Sequence, residues 1–206
     1  MKEFFNKIKM RKQNLALVIL PLISVIFFQS QLFCQTKEFL ILKTNDTIYG
    51  HTLAHDWIAD RYCQTVNFFN EETGIKEYWA DSIVGYYNGL SYYEACWVDW
   101  DYHFCRVIIS GEISLLKKGI YEEDVVYDNG SSTGSIFIPK VIYYLKRNGV
   151  YTPIIRKKFH KNMAYYFSED SEIYSKIINR SLGFRNINQI VEVFNKHYYE
   201  NKKIEN

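Results

Sequence analysis

Ile83-Val84-Gly85-Tyr86-Tyr87-Asn88-Gly89-Leu90-Ser91-Tyr92-Tyr93-Glu94-Ala95-Cys96-Trp97-Val98 carries the strongest hairpin signal in the chain. Two runs rich in β-branched and aromatic residues flank Asn88-Gly89, a dipeptide that accepts the positive φ angles of a tight two-residue turn. The same pattern repeats on both sides. Upstream, Glu38 to Lys43 and Thr47 to Leu53 flank Thr44-Asn45-Asp46, and Tyr62 to Phe69 and Ile75 to Trp79 flank Asn70 to Gly74. Downstream, His103 to Ser110 and Glu112 to Lys117 follow, with a bend at Gly111, and Val141 to Arg147 and Val150 to Ile155 flank a second Asn-Gly pair at 148 and 149. Short apolar runs between turn residues at this spacing predict an antiparallel sheet. Residues 121–136, centred on Asp128-Asn129-Gly130-Ser131-Ser132-Thr133-Gly134, read as the longest loop. The expectation is an antiparallel meander of about ten strands forming a roll or an open barrel.

Past Arg156 the apolar period lengthens from two to nearly four. Residues 160–167 begin a short helix. Asp170 to Arg180 carries acids at its start, Ile173, Ile177 and Ile178 on one face, and Gly183 beyond its end. A further helix runs from an N-cap at Asn186, with Ile187, Ile190, Val191, Phe194 and Tyr198 along one stripe. The fold class predicted is therefore mainly β (α+β), with two C-terminal helices packed on the sheet. The β part spans about 38–155 and the helical part about 160–200.

The N-terminus has a different character. Residues 2–14 are basic and polar, Leu15 to Phe28 run fourteen residues without a charge, and Gln29, Ser30 and Gln31 follow. That order predicts a signal peptide over 1–34, cleaved after Cys34, with 35–206 as a single exported domain in the periplasm, the cell envelope or the medium. The alternative is a membrane anchor through residues 15–34 with the domain outside the cytoplasm. From residue 35 on, 20 basic side chains face 22 acidic ones. This balance lacks the positive footprint of a nucleic-acid binder. Aromatics make up 31 of those 172 residues, weighted toward Tyr, whose ring packs while its hydroxyl stays wet.

Chemistry concentrates in Glu94 to His103. Trp97, Trp100 and Tyr102 could stack on sugar faces and are the candidate ligand-binding residues. Asp99 and Asp101 could supply the two carboxylates, about 5 to 9 Å apart, that glycoside hydrolysis requires. The plainer reading is a hairpin loop with solvated acids and rings covering the sheet edge. Cys96 and Cys105 flank this loop, and either a disulfide or two buried thiols fits the spacing. His51, His55 and Asp56 have a metal-like interval only if helical, and His51 falls in a predicted strand, so no metal site and no cofactor are expected. Arg156, Lys157, Lys158, His160 and Lys161 form a basic run that could meet phosphate, lipid head groups or acidic glycans, or simply be a solvated turn. Gly130 and Gly134 fit neither a phosphate-binding loop nor a dinucleotide fingerprint.

Phe39-Leu40-Ile41-Leu42 with Asn45-Asp46-Thr47-Ile48-Tyr49-Gly50, then Asp81-Ser82-Ile83-Val84-Gly85-Tyr86, Ser110-Gly111-Glu112-Ile113-Ser114-Leu115 and Tyr143-Tyr144-Leu145 before the closing helices, resemble an uncharacterised exported family of Bacteroidetes. Asn45 stands where that family usually has glycine. The resemblance implies an exported β-rich domain with a helical end and carries no activity. The function expected from the residues is an envelope binding or structural module. An envelope glycan hydrolase using Asp99 and Asp101 is the alternative, and a glycan or another envelope protein is the expected partner.

Overall fold

The structure is a computed structural model, and it describes residues 37–53, 63–128 and 131–204. Residues 1–34, with the expected export segment and Cys34, lie outside the described residues, as do His55 and Asp56. From Glu38 on, the chain forms one unit.

Ten strands make one antiparallel sheet: β1 (Glu38–Leu42), β2 (Thr47–Thr52), β3 (Thr65–Asn70), β4 (Gly74–Trp79), β5 (Ile83–Tyr87), β6 (Tyr92–Val98), β7 (Asp101–Ile109), β8 (Ser114–Asp128), β9 (Ser131–Arg147) and β10 (Val150–Pro153). Their spatial order is β10-β9-β8-β7-β6-β5-β1-β2-β3-β4. Two meanders therefore meet where β1 pairs with β5, with Leu40 opposite Tyr86. The sheet stays open. It curls at its N-terminal half, because Val66 and Phe68 of β3 and Tyr78 of β4 pack with Leu40, Tyr86 and Phe104 of β1, β5 and β7. Cys63, just before β3, accepts a backbone hydrogen bond from Phe104 at 2.5 Å.

The turns show what local chemistry decided. Asn148 and Gly149 both take positive φ (50° and 77°), and Arg147 pairs with Val150 across the expected two-residue turn. Asn88-Gly89 behaves differently. Tyr87 pairs with Tyr92, so four residues make the loop, and only Gly89 has positive φ. The Asn88 carboxamide explains this, since its Oδ1 accepts from the Leu90 and Ser91 amides at 3.1 and 2.9 Å and holds an Asx-type turn. Residues 121–128 and 131–136 are strand rather than loop. The β8–β9 ladder continues from Ser114 opposite Lys146 out to Asp128 opposite Ser131. Antiparallel pairing carries the ladder out to Asp128 and Ser131, and the Gly/Ser-rich composition does not prevent it.

Three helices among the described residues, one more than expected, pack on the sheet: α1 (Phe159–Tyr166), α2 (Ser171–Ile178) and α3 (Ile187–Ile204). Phe159, Met163, Ile173, Ile177, Ile190, Val191 and Phe194 bury against Leu115, Leu145 and Ile154. Ile178 is 54% exposed, because only residues four apart, 173 and 177, fall under the stripe. Asp170 caps α2 by accepting from the Ile173 amide at 2.9 Å and also meets His197 Nδ1 at 2.7 Å. Asn186 does not cap forward. It ends a 3₁₀ turn over Phe184–Asn186, and its Oδ1 accepts from the Gly183 amide instead. The helix-to-sheet join is sealed by Asn195, which is buried and forms two 2.9 Å bonds with the Ile113 amide and carbonyl. Gly111 lies beneath that side chain, where a Cβ would come within 2.3 Å of the carboxamide nitrogen.

Candidate functional site

Strands β6 and β7 form a register that decides where every residue of the Glu94–His103 stretch points. Tyr93 faces Arg106, Glu94 faces Cys105, Cys96 faces His103, Trp97 faces Tyr102 and Val98 faces Asp101. Alternation then sends Glu94, Cys96, Val98 and Cys105 to one side of the sheet, and Tyr93, Ala95 and Trp97 to the other. The first side is an interior that it shares with Leu116 of β8 and Tyr144 of β9. The far edge of the sheet folds over this interior. Glu94 Oε1 accepts from Tyr151 Oη of β10 at 2.5 Å and from Lys146 Nζ of β9, which ties β10 back to β6. Burial and the bond to Glu94 both push the Tyr151 hydroxyl up from its ordinary pKa.

The turn between the strands is Asp99-Trp100, and both residues are non-glycines at positive φ, 54° and 70°. Left-handed backbone at a side-chain-bearing residue costs on the order of 1 kcal/mol, so some interaction must hold it there. Asp99 supplies one. Its Oδ2 accepts from Lys118 Nζ at 2.5 Å and from Tyr144 Oη at 2.7 Å. Lys118 is 4% exposed, so its ammonium depends on this carboxylate for compensation. Partial burial raises the Asp99 pKa, but the two hydrogen bonds and the Lys118 charge outweigh it, and the net direction is below the ordinary carboxylate range. The Tyr144 hydroxyl is pushed up by burial and by its bond to Asp99.

Trp100 has no such anchor. It is 92% exposed at the tip, and Trp97 is 53% exposed beside it. The Trp97 ring meets Tyr102 edge-on with centroids 5.0 Å apart, and Lys43 Nζ sits 4.7 Å over the Tyr102 ring. The three expected ligand-binding residues thus share one hairpin end, with Trp97 and Tyr102 held as a rigid pair and Trp100 projecting into solvent.

The two expected acids have separate partners. Asp101 Oδ2 accepts from Gln64 Nε2 at 2.5 Å and its Oδ1 accepts from the Tyr102 amide at 2.7 Å, while Asp99 is held by β8 and β9. Asp99 is therefore ionised at neutral pH and paired, which is unlike a general acid. A hollow of about 490 Å³ between α3 and the loop before α2 includes neither carboxylate. None of Cys63, Cys96 and Cys105 is in a disulfide. Cys96 and Cys105 are both buried on the interior side but two positions out of direct opposition, with Cys96 opposite His103 and Cys105 opposite Glu94. Hydrogen bonding to Cys96 and then burial push the Cys105 thiol up. His51 sits in β2.

Lys118 and Tyr144 were not foreseen in the sequence. They lie 19 and 45 residues from Asp99, and only the register of β7 with β8 and of β8 with β9 brings them beneath it. No protein-family model, curated protein or solved structure matches this chain.

Proposed function

We propose that this chain is an exported binding module of the cell envelope, and that the β6–β7 hairpin binds a glycan through Trp97, Trp100 and Tyr102. One observation carries the reading: an indole that is 92% exposed stands on a strained turn that the Lys118–Asp99–Tyr144 cluster holds in place. Covering roughly 200 Å² of indole releases on the order of 5 kcal/mol before entropic costs, and a flat sugar face is suited to cover it. The Trp97–Tyr102 pair and the backbone under Trp100 are fixed before the ligand arrives, which lowers the ordering cost of binding. Export through residues 1–34 supplies the compartment, and the family resemblance of residues 38–200 agrees with that address.

A hydrolase acting on the same glycans is the second reading, with Asp101 as its only unpaired-by-lysine acid of the two. Asp99 would have to leave Lys118 to take part. The separating experiment incubates the purified protein with solubilised envelope oligosaccharides and follows both retention and product formation. Retention without cleavage, lost in the Trp97→Ala/Trp100→Ala double variant, supports the module. New reducing ends that disappear in Asp101→Asn would replace it with the hydrolase.

A further inference from the structure

Residues 156–186 carry seven lysines and arginines against three acidic side chains, and each acid is engaged away from the rest of the basic set. Glu169 pairs with Arg147, Asp170 caps α2 and meets His197, and Glu172 pairs with Lys176 along α2. What remains converges. A hollow of about 330 Å³ opens where the turn before α1, the start of α1, the end of α2 and the 3₁₀ turn before α3 come together. Arg156, His160, Arg180 and Arg185 line it with Ser181 and Asn186, and no carboxylate does. Among the described residues, none of the three arginines has an ion-pair partner.

The arginines are placed rather than scattered. Arg156 lies over the Phe184 ring, 5.9 Å from its centroid, and His160 Nδ1 is held by the Ile177 carbonyl at 3.0 Å. Arg180 takes φ 64° where α2 ends, closing the helix with its amide on the Ile177 carbonyl. That left-handed position usually falls to glycine, and an arginine there places a guanidinium at the rim at the expense of backbone strain. Three like charges around one hollow repel each other unless an anion sits among them.

We propose that this hollow is a binding site for a phosphomonoester group. Guanidinium forks match the terminal oxygens of phosphate in pairs, and three forks suit a dianionic tetrahedral group better than a carboxylate with two oxygens. The hollow is much larger than phosphate alone, which leaves room for the molecule that bears it. That molecule is a soluble phosphorylated sugar or a lipid head group, which share the phosphomonoester. The site is separate from the aromatic hairpin and does not depend on its reading.

Isothermal titration of the full chain in 50 mM salt with glucose 6-phosphate and with inorganic phosphate tests the soluble source. Co-sedimentation with phosphatidylcholine vesicles, with and without phosphatidic acid, tests the lipid source. The expected result is saturable one-to-one binding in at least one arm, weakened about tenfold by Arg185→Gln and by Arg180→Gly. Lys157→Gln, outside the lining, should leave it unchanged. Arg180→Gly relieves the strained backbone while removing the charge, so its loss of binding at undiminished thermal stability cannot be put down to unfolding. Equal weakening by Lys157→Gln, or no binding in any arm, would overturn the site.

Discussion

Replacing Trp100 with glycine should make the protein more stable and remove its binding. The residue sits at φ 70° and is 92% exposed. Releasing a side chain from left-handed backbone recovers about 1–2 kcal/mol. Glycine gives back about 0.5–1 kcal/mol through the greater freedom of the unfolded chain. The net expectation is a gain of about 0.5–1 kcal/mol, which in a domain of this size raises Tm by about 2 °C. Had the indole been part of the core, the same change would cost about 3–5 kcal/mol, so the sign alone separates the two cases. Urea denaturation followed by circular dichroism reads the stability, and retention of envelope oligosaccharides reads the binding. A loss of 2 kcal/mol or more would refute the argument, because it would mean that Trp100 packs. A more stable variant that still binds would separate Trp100 from the ligand.

Asp99→Asn keeps a residue tolerant of positive φ but strips Lys118 of its counter-charge, and should cost about 2 kcal/mol; loss of a buried pair's partner costs more, but the Asp99 side chain is half exposed and screened. Because the fold lowers the Asp99 pKa, its contribution is present above the ordinary carboxylate value of about 4 and lost as pH falls through the folded value. Urea titrations at pH 6 and pH 3 should therefore show a smaller acid loss in Asp99→Asn than in the wild type, and equal losses would contradict the pairing. Asn195→Ala leaves the buried Ile113 amide and carbonyl without their partner and should cost about 2–4 kcal/mol by denaturation, whereas a cost under about 1 kcal/mol would show that they find other partners. Mass mapping after alkylation of the native protein should find Cys63, which is partly exposed, modified before buried Cys96 and Cys105; early labelling of Cys105 would contradict its burial and raised pKa.

Strands were legible because their signals are local: alternating β-branched and aromatic residues, and turn dipeptides such as Asn148-Gly149. The β1–β5 junction was not, since β1 sits there by burying Leu40 against residues from four other strands, a contact no window of sequence contains. At 121–136 the Gly/Ser composition read as a loop, whereas the flanking residues extend the β8–β9 ladder through long-range pairing that composition does not show. Asn88-Gly89 erred in the other direction, because the Asn88 carboxamide can hold a longer loop as readily as its backbone can enter a tight turn. At the site, the aromatic trio was visible as adjacent residues. The roles of Asp99 and Asp101 were not, because both depend on partners that arrive through register: Lys118 and Tyr144 for one, Gln64 for the other. Arg180 and Arg185 joined the Arg156–Lys161 run for the same reason, through the packing of α1, α2 and α3.

The most direct test of the central claim uses the indole Nε1–H signals in a proton–nitrogen NMR spectrum during titration with envelope oligosaccharides. Trp79, also exposed but at the end of β4, serves as the internal control. The hairpin reading predicts saturable shifts at Trp97 and Trp100 with Trp79 unmoved. Shifts at Trp79 alone, or none at the hairpin under conditions where the protein retains glycan, would contradict it.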